Sequence, residues 1–274
     1  MILGMHPAPS LRPAALTALQ VADPATKAEQ TRALWMALEA GQVAIDPSAC
    51  LAAPSGLPGR PTLPRLVQAD QVPRRSPFTL AGHAALLHAI CHIEFNAINL
   101  ALDAVWRFGG LPADFYRDWL RVAAEEALHF TLLRDHLRTL GRDYGDFDAH
   151  DGLWAMAERT KHDIVARMAL VPRTLEARGL DATPPMQARL RKAGDQRAVE
   201  ILDVILRDEV GHVAIGNHWY RWLCRRDGLD PLALYPELAA RFSAPRLRAP
   251  LNLDARRAAG FEPAELAALE RDAR

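Results

Sequence analysis

The chain has 274 residues, a formal net charge of zero, half of its residues hydrophobic and about a quarter charged. This balance is typical of a globular protein, and a net charge of zero excludes a global electrostatic attraction to nucleic acid or to an anionic membrane. The N-terminus lacks the basic start and apolar run of a signal peptide, and no window approaches ~18 uninterrupted apolar residues, so we expect neither secretion nor a membrane span.

The first 75 residues are rich in proline and predict an irregular extension. Ten of the twenty prolines precede residue 75, and the five between residues 53 and 75 forbid continuous helix there. One helix is predicted before them, at about 24–40. We therefore predict that residues 1–75 form an N-terminal extension that is wrapped over, or linked to, the main body.

Residues 76–228 read as long helices separated by glycine and proline, and strand signals are almost absent. Ser76 followed by Pro77 is a serine cap with proline at the first helical position. The long helices are predicted at about 77–108, 113–140, 153–178 and 195–226, and glycines end them. Pro172 is expected to kink the third. A short helical piece begins at Pro184 and Pro185 and is broken at Gly194. Short helices at about 231–242 and 263–271 belong to a C-terminal tail, residues 229–274.

The three cysteines, Cys50, Cys91 and Cys224, are scattered and form no C-x-x-C pair. Their odd number and spacing argue against a disulfide scaffold, a thiolate zinc site and a built-in iron–sulfur or rubredoxin module. Free thiols are typical of a reducing compartment, so we expect a cytoplasmic protein.

A repeated pattern of glutamate and histidine carries the main functional signal. Glu126 and His129 form one E-x-x-H motif, and Glu209 and His212 form a second. A lone glutamate precedes each copy at nearly the same distance: Glu94 lies 32 residues before Glu126, and Glu176 lies 33 residues before Glu209. A Glu and a Glu-x-x-His, repeated once, is the ligand set of a carboxylate-bridged two-metal site inside a four-helix bundle.

Three of these glutamates interrupt apolar helix faces. At about 100° per residue, the neighbours of Glu94, Glu126 and Glu209 on their own faces are apolar: Leu87, Ile90 and Ile98; Trp119, Val122 and Leu133; Leu202, Ile205 and Val213. A buried carboxylate must be neutral, paired or bound to a cation, and two histidines cannot neutralise several converging carboxylates. Two divalent metal ions can, and oxygen with imidazole ligation suits iron or manganese. Glu125 turns toward a more polar flank, so the ligand role is assigned to Glu126.

Glu176 is assigned mainly on spacing, because it lies near the predicted end of its helix, three residues before Gly179. Glu158 and Asp163 are the alternative ligands from the same predicted helix. Among the other histidines, His88 and His92 are four residues apart and point away from Glu94. They are expected to face solvent or to cap another element.

Over about residues 77–226 the chain resembles the ferritin-like superfamily of di-metal carboxylate proteins. Four stretches look like an uncharacterised bacterial branch of that superfamily: His92-Ile-Glu94, Glu125-Glu126-Ala-Leu-His129-Phe130, Pro172 to Gly179 and Asp208-Glu-Val-Gly-His-Val213. That branch is similar to the di-iron hydroxylases that modify a hypermodified tRNA base. The resemblance implies an all-α, ferritin-like four-helix bundle at 76–228. It implies six metal ligands, two of them the bridging Glu126 and Glu209: Glu94, Glu126, His129, Glu176, Glu209 and His212.

The resemblance further implies an oxygen-activating oxidase or oxygenase that holds two iron ions, or manganese, or a mixed pair. Its partners would be oxygen, a small-molecule substrate and an external electron donor. The alternatives are iron or manganese handling, peroxide scavenging, and a structural or binding bundle with vestigial ligands. RNA as a substrate rests on analogy alone and gains no support from the neutral charge. A homodimer through helix faces is compatible with the sequence.

Overall fold

A computed structural model describes residues 9–73 and 75–273, and this part of the chain is all-helical, as predicted, with no β-strand. Two isolated bridges, Ser10 with Ala44 and Leu66 with Ala149, join irregular segments. The helices, with a π-helical turn at Val171–Glu176 between α6 and α7, are α1 (Leu11–Gln20), α2 (Pro24–Glu39), α3 (Leu80–Arg107), α4 (Ala113–Thr139), α5 (Gly152–Arg159), α6 (Ile164–Leu170), α7 (Ala177–Lys192), α8 (Gln196–Asp227), α9 (Pro231–Arg241), α10 (Leu253–Ala258) and α11 (Pro263–Asp272).

The core lies between the long helices. Helix α3 packs against α4, α4 packs against α8, and α8 packs in turn against α6, the π turn and α7. By length and composition alone α3 could cross a membrane, but 78% of its most apolar window is buried inside the protein. It is therefore the core helix of this fold, which is consistent with a soluble protein.

The N-terminal residues join the same core. Helix α1 packs on α3, and α2 packs on α4. The buried ammonium group of Lys27, on α2, donates a hydrogen bond to the carbonyl of Gly59 at 2.8 Å and another to Asn99 on α3. A single side chain thus fastens α2 and the proline-rich segment to α3. The division of the chain into three domains at residues 75 and 228 stays a prediction.

The prediction of one continuous third helix at 153–178 is wrong in two respects: the helix is interrupted, and it ends later than predicted. It is broken after α5, restarts at α6 with Asp163 capping the amide of Ala166, and then widens into the π turn. It also runs on through Gly179, Pro184 and Pro185 to the end of α7. Proline at 184 removes the N–H that would bond the carbonyl of Leu180, and the side-chain amide of Asn252 donates to that carbonyl at 3.1 Å instead. A contact from the C-terminal tail therefore satisfies the carbonyl that Pro184 leaves without its helical donor.

Candidate metal centre

The six predicted ligands come from four segments of the chain and all are buried. Glu94 comes from α3, Glu126 and His129 from α4, and Glu209 and His212 from α8, while Glu176 is the last residue of the π turn. Their relative exposure ranges from 0% for Glu126 and His129 to 9% for Glu176. Five of them form two groups with the spacing of metal ligands, and Glu126 belongs to both groups.

The first half of the centre gathers around His129. Its Nδ1 atom lies 3.2 Å from Oε2 of Glu94 and 3.3 Å from Oε2 of Glu126. The i, i+3 spacing on α4 brings Glu126 and His129 one turn apart on the same face, and α3 supplies Glu94 from the opposite side. Two carboxylates and one imidazole nitrogen thus converge on one point.

The second half gathers around His212. Its Nδ1 atom lies 3.0 Å from Oε1 of Glu126 and 4.0 Å from Oε2 of Glu209. The two imidazole rings are 5.9 Å apart between their centroids. Glu126 therefore presents one oxygen to each histidine, which is the arrangement of a carboxylate that bridges two ions.

The Nε2 atom of each histidine, on the side of the ring away from the other predicted ligands, contacts a carboxylate from the other helix. The Nε2 atom of His129, on α4, lies 3.0 Å from Oδ2 of Asp208 on α8, and Nε2 of His212, on α8, lies 2.7 Å from Oε2 of Glu125 on α4. Both Nε2 atoms therefore carry a proton and donate it. The sequence predicts a polar flank for Glu125 and no role for Asp208. The missed signal is that an acidic residue directly precedes the glutamate in both E-x-x-H motifs.

With Nε2 donating to Asp208 or Glu125, Nδ1 of each imidazole faces carboxylate oxygens on the other side of the ring. Two lone pairs at about 3 Å repel each other unless a proton or a metal ion lies between them. The buried side-chain atoms that have no hydrogen-bond partner within the described residues include four from the predicted ligands: Oε1 of Glu126, Oε2 of Glu176, Oε2 of Glu209 and Nδ1 of His212. Because orphaned buried polar atoms are unfavourable, this donor set fits metal ions.

The protein without metal must hold protons in their place. Burial, followed by repulsion from Glu126, raises the pKa of Glu94 and the pKa of Glu176 to about 8 each, and the same two causes raise the pKa of Glu209 well above its ordinary range. Burial opposes the charge on Glu126 and on both histidines, but their mutual contacts hold the pKa of Glu126 below its ordinary range and, together with Asp208 and Glu125, raise the pKa of His129 and His212 well above theirs. Glu126 is thus the charged centre of a cluster whose other carboxyl groups carry protons.

The π turn that ends at Glu176 packs against α8. A Cβ atom on Gly216 of α8 would lie 2.6 Å from Cβ of Pro172, so only glycine permits this approach. The guanidinium of Arg173 donates to Glu265 at 2.7 Å and contacts the aromatic rings of Tyr220, Tyr235 and Phe261. These contacts hold the irregular turn that carries Glu176, which lies in neither ligand group but is close enough for the charge of Glu126 to raise its pKa.

The alternative ligands lie outside the cluster. Glu158 pairs with Lys161 at 3.1 Å, and Asp163 is the cap of α6. His88 and His92 are buried, so of the two roles expected for them, facing solvent or capping another element, the first is wrong. They instead contact the loop after α4, where His88 accepts from the amide of Gly145 and His92 accepts from the hydroxyl of Tyr144.

Comparison with known proteins places the chain in a family without assigning its chemistry. The family model described as "Protein of unknown function (DUF455)" matches residues 20–267. An "Uncharacterized protein" from Haemophilus influenzae (strain ATCC 51907 / DSM 11121 / KW20 / Rd) is 55% identical over 213 residues, which cover 75% of this chain and 74% of the relative. No solved structure matches.

Proposed function

The chain belongs to the family described as "Protein of unknown function (DUF455)", and we propose that it is a di-metal, specifically di-iron, carboxylate oxidase or oxygenase with a ferritin-like four-helix bundle. The bundle would consist of α3, α4, the α6–α7 segment with its π turn, and α8. The observation that carries the proposal is Glu126, a fully buried carboxylate with one oxygen about 3 Å from the Nδ1 atom of each of two histidines.

In this proposal Glu94, Glu126 and His129 hold one ion, and Glu126, Glu209 and His212 hold the other. Glu176 contributes the fourth carboxylate. Two divalent ions balance the charge of four carboxylates, so the protons that the cluster otherwise holds are released when the metal binds. When bound, a ferrous pair supplies the two electrons that reduce oxygen or a peroxide.

The chain's own side chains have three tasks at such a centre. The apolar faces of α3, α4 and α8 exclude bulk water from Glu126 and His129. Asp208 and Glu125 hold the Nε2 proton of each histidine, which fixes the tautomer and leaves Nδ1 free to bind metal. Carboxylate and imidazole ligands contain no thiolate that an oxidised centre would damage. The proposal includes a small-molecule substrate and a separate electron-donor protein in the cytoplasm.

The first experiment is elemental analysis of the purified protein after anaerobic loading with ferrous iron. We expect about two iron ions per chain, lost in Glu126→Ala and kept in Glu158→Ala, which removes a partly exposed glutamate that pairs with Lys161. Retention of iron by Glu126→Ala, or no iron in the unaltered protein, contradicts the proposal.

Oxygen uptake then separates the enzyme from its alternatives. An oxidase or oxygenase consumes oxygen in proportion to reductant added, at about two irons per chain. Many irons per chain would indicate storage instead, and oxygen release from hydrogen peroxide would indicate peroxide disproportionation. Either result would replace the oxidase assignment while keeping the metal centre.

A further inference from the structure

Gly179 has no backbone reason to be glycine. It lies inside the continuous helical path from the π turn through α7, and its φ angle is not in the left-handed region. Glycine within a helix costs about 1 kcal/mol relative to alanine. Since the helix does not end there, the residue requires another explanation.

The space beside Gly179 borders Glu209, one of the predicted ligands. Within the described residues, and apart from the backbone of its own helix, a Cβ atom built on Gly179 would have one heavy-atom neighbour within 4 Å, the carboxyl carbon of Glu209 at 3.9 Å. That is an ordinary van der Waals contact, so a side chain is not excluded by crowding. Gly216 differs in this respect, because its Cβ would collide with Pro172. Gly216 is therefore glycine for packing, whereas at Gly179 the missing side chain leaves a gap over a predicted ligand.

The burial of the six ligands points to the same place. Glu126 and His129 have no exposed surface, while Glu209 and Glu176 retain 6% and 9%, the largest values of the six. Glu176 lies three residues before Gly179, which places the two residues on one helix face. The most accessible carboxylates of the cluster are thus the two that adjoin the glycine, and Gly179 is itself partly exposed.

We propose that the missing side chain of Gly179 forms the entrance through which a ligand of a few atoms, of the class of dioxygen or peroxide, reaches the metal centre. The proposal rests on the proposed function, since it assumes that the cluster holds metal. The residue at position 179 then determines the size of the ligand that can enter, without itself binding metal.

The test measures ligand access directly, independently of turnover. The anaerobic ferrous protein is mixed with nitric oxide, an uncharged diatomic substitute for dioxygen, and the iron–nitrosyl absorbance is followed by stopped flow. We expect Gly179→Leu to bind about two irons per chain but to react with nitric oxide at least about ten-fold more slowly. Gly179→Ala should give an intermediate rate. Both variants should fold, because each replaces a helical glycine with a better helix former.

Gly211→Leu is the matched control, because Gly211 lies on α8, is exposed, and has no atom within 4 Å of an added Cβ. Its nitric oxide rate should equal that of the unaltered protein. An unchanged rate in Gly179→Leu with full iron content overturns the entrance and leaves the proposed function intact. An equal slowing in Gly211→Leu also overturns it. Failure of the unaltered protein to bind iron overturns both proposals.

Discussion

The two halves of the candidate centre are built from the same motif but are presented by the chain in different ways. The half around His129 lies between α3 and α4, and neither Glu126 nor His129 has exposed surface. The half around His212 depends on α8 and on the π turn that carries Glu176. The half formed by the regular helices α3 and α4 is closed to solvent around Glu126 and His129, whereas the half that includes the irregular turn has slightly exposed carboxylates. A repeated ligand pattern therefore does not imply two equivalent sites.

The largest expected effect on metal affinity comes from replacing the outer carboxylates, which are Asp208 and Glu125, the residues that contact Nε2 of the two histidines. Asp208→Ala removes the partner of His129, and Glu125→Ala removes the partner of His212. Loss of such a partner costs about 10–100-fold in metal affinity. We expect the larger loss in Asp208→Ala, because the Asp208 side chain is 15% exposed and that of Glu125 is 37% exposed.

Competition with a coloured chelator measures both affinities, and Glu200→Ala, an exposed change on α8, is the control. Equal affinity in all three variants would contradict the role of the outer carboxylates. A larger loss in Glu125→Ala would reverse the ranking of the two halves.

Gly216→Ala should disturb the second half alone. The added Cβ would lie 2.6 Å from Pro172, and the π turn must shift to relieve the contact. Overpacking of this kind costs about 1–3 kcal/mol of the free energy of unfolding, and the shift should draw Glu176 away from Glu209. Urea unfolding and iron content check the two effects. Gly211→Ala, with open space at its Cβ, should be at least as stable as the unaltered protein, and a loss there would show that the effect is not specific to Pro172.

The smallest expected effect is a pH dependence that differs with and without metal. Glu94 and Glu176 keep a proton in the folded, metal-free protein up to a pKa of about 8, whereas in the unfolded chain they release it near 4.5. The folded state then binds more protons, so stability falls as pH rises from about 4.5 to about 8. Metal affinity rises over the same range, since the proton and the metal ion compete.

Thermal unfolding between pH 5.5 and pH 8, with and without metal, tests this sign. The melting temperature of the metal-free protein should fall with pH, and the slope should be smaller in Glu94→Gln. A melting temperature that rises with pH in the metal-free protein would show that these carboxyl groups are not protonated in the folded state.

Much of the centre could be predicted from local spacing. The i, i+3 motifs on α4 and α8 and the apolar faces around Glu94, Glu126 and Glu209 are properties of single helices, and a helix fixes them whatever it packs against. For His88 and His92 the solvent-facing alternative is wrong, because exposure depends on a different element, the loop after α4, which covers that side of α3. Asp208 and Glu125 were missed for a related reason, since each acts across to the histidine of the other helix.

By itself, the sequence determined the all-helical class, most of the long helices and the paired ligand motifs, because side-chain periodicity and helix-ending residues act within a few positions along the chain. Only the tertiary structure decided the path between residues 153 and 192. There Gly216 admits Pro172 of the π turn to α8, and Asn252 satisfies the carbonyl in α7 that Pro184 leaves free. Those contacts join residues 44 to 72 positions apart, and no local pattern encodes them.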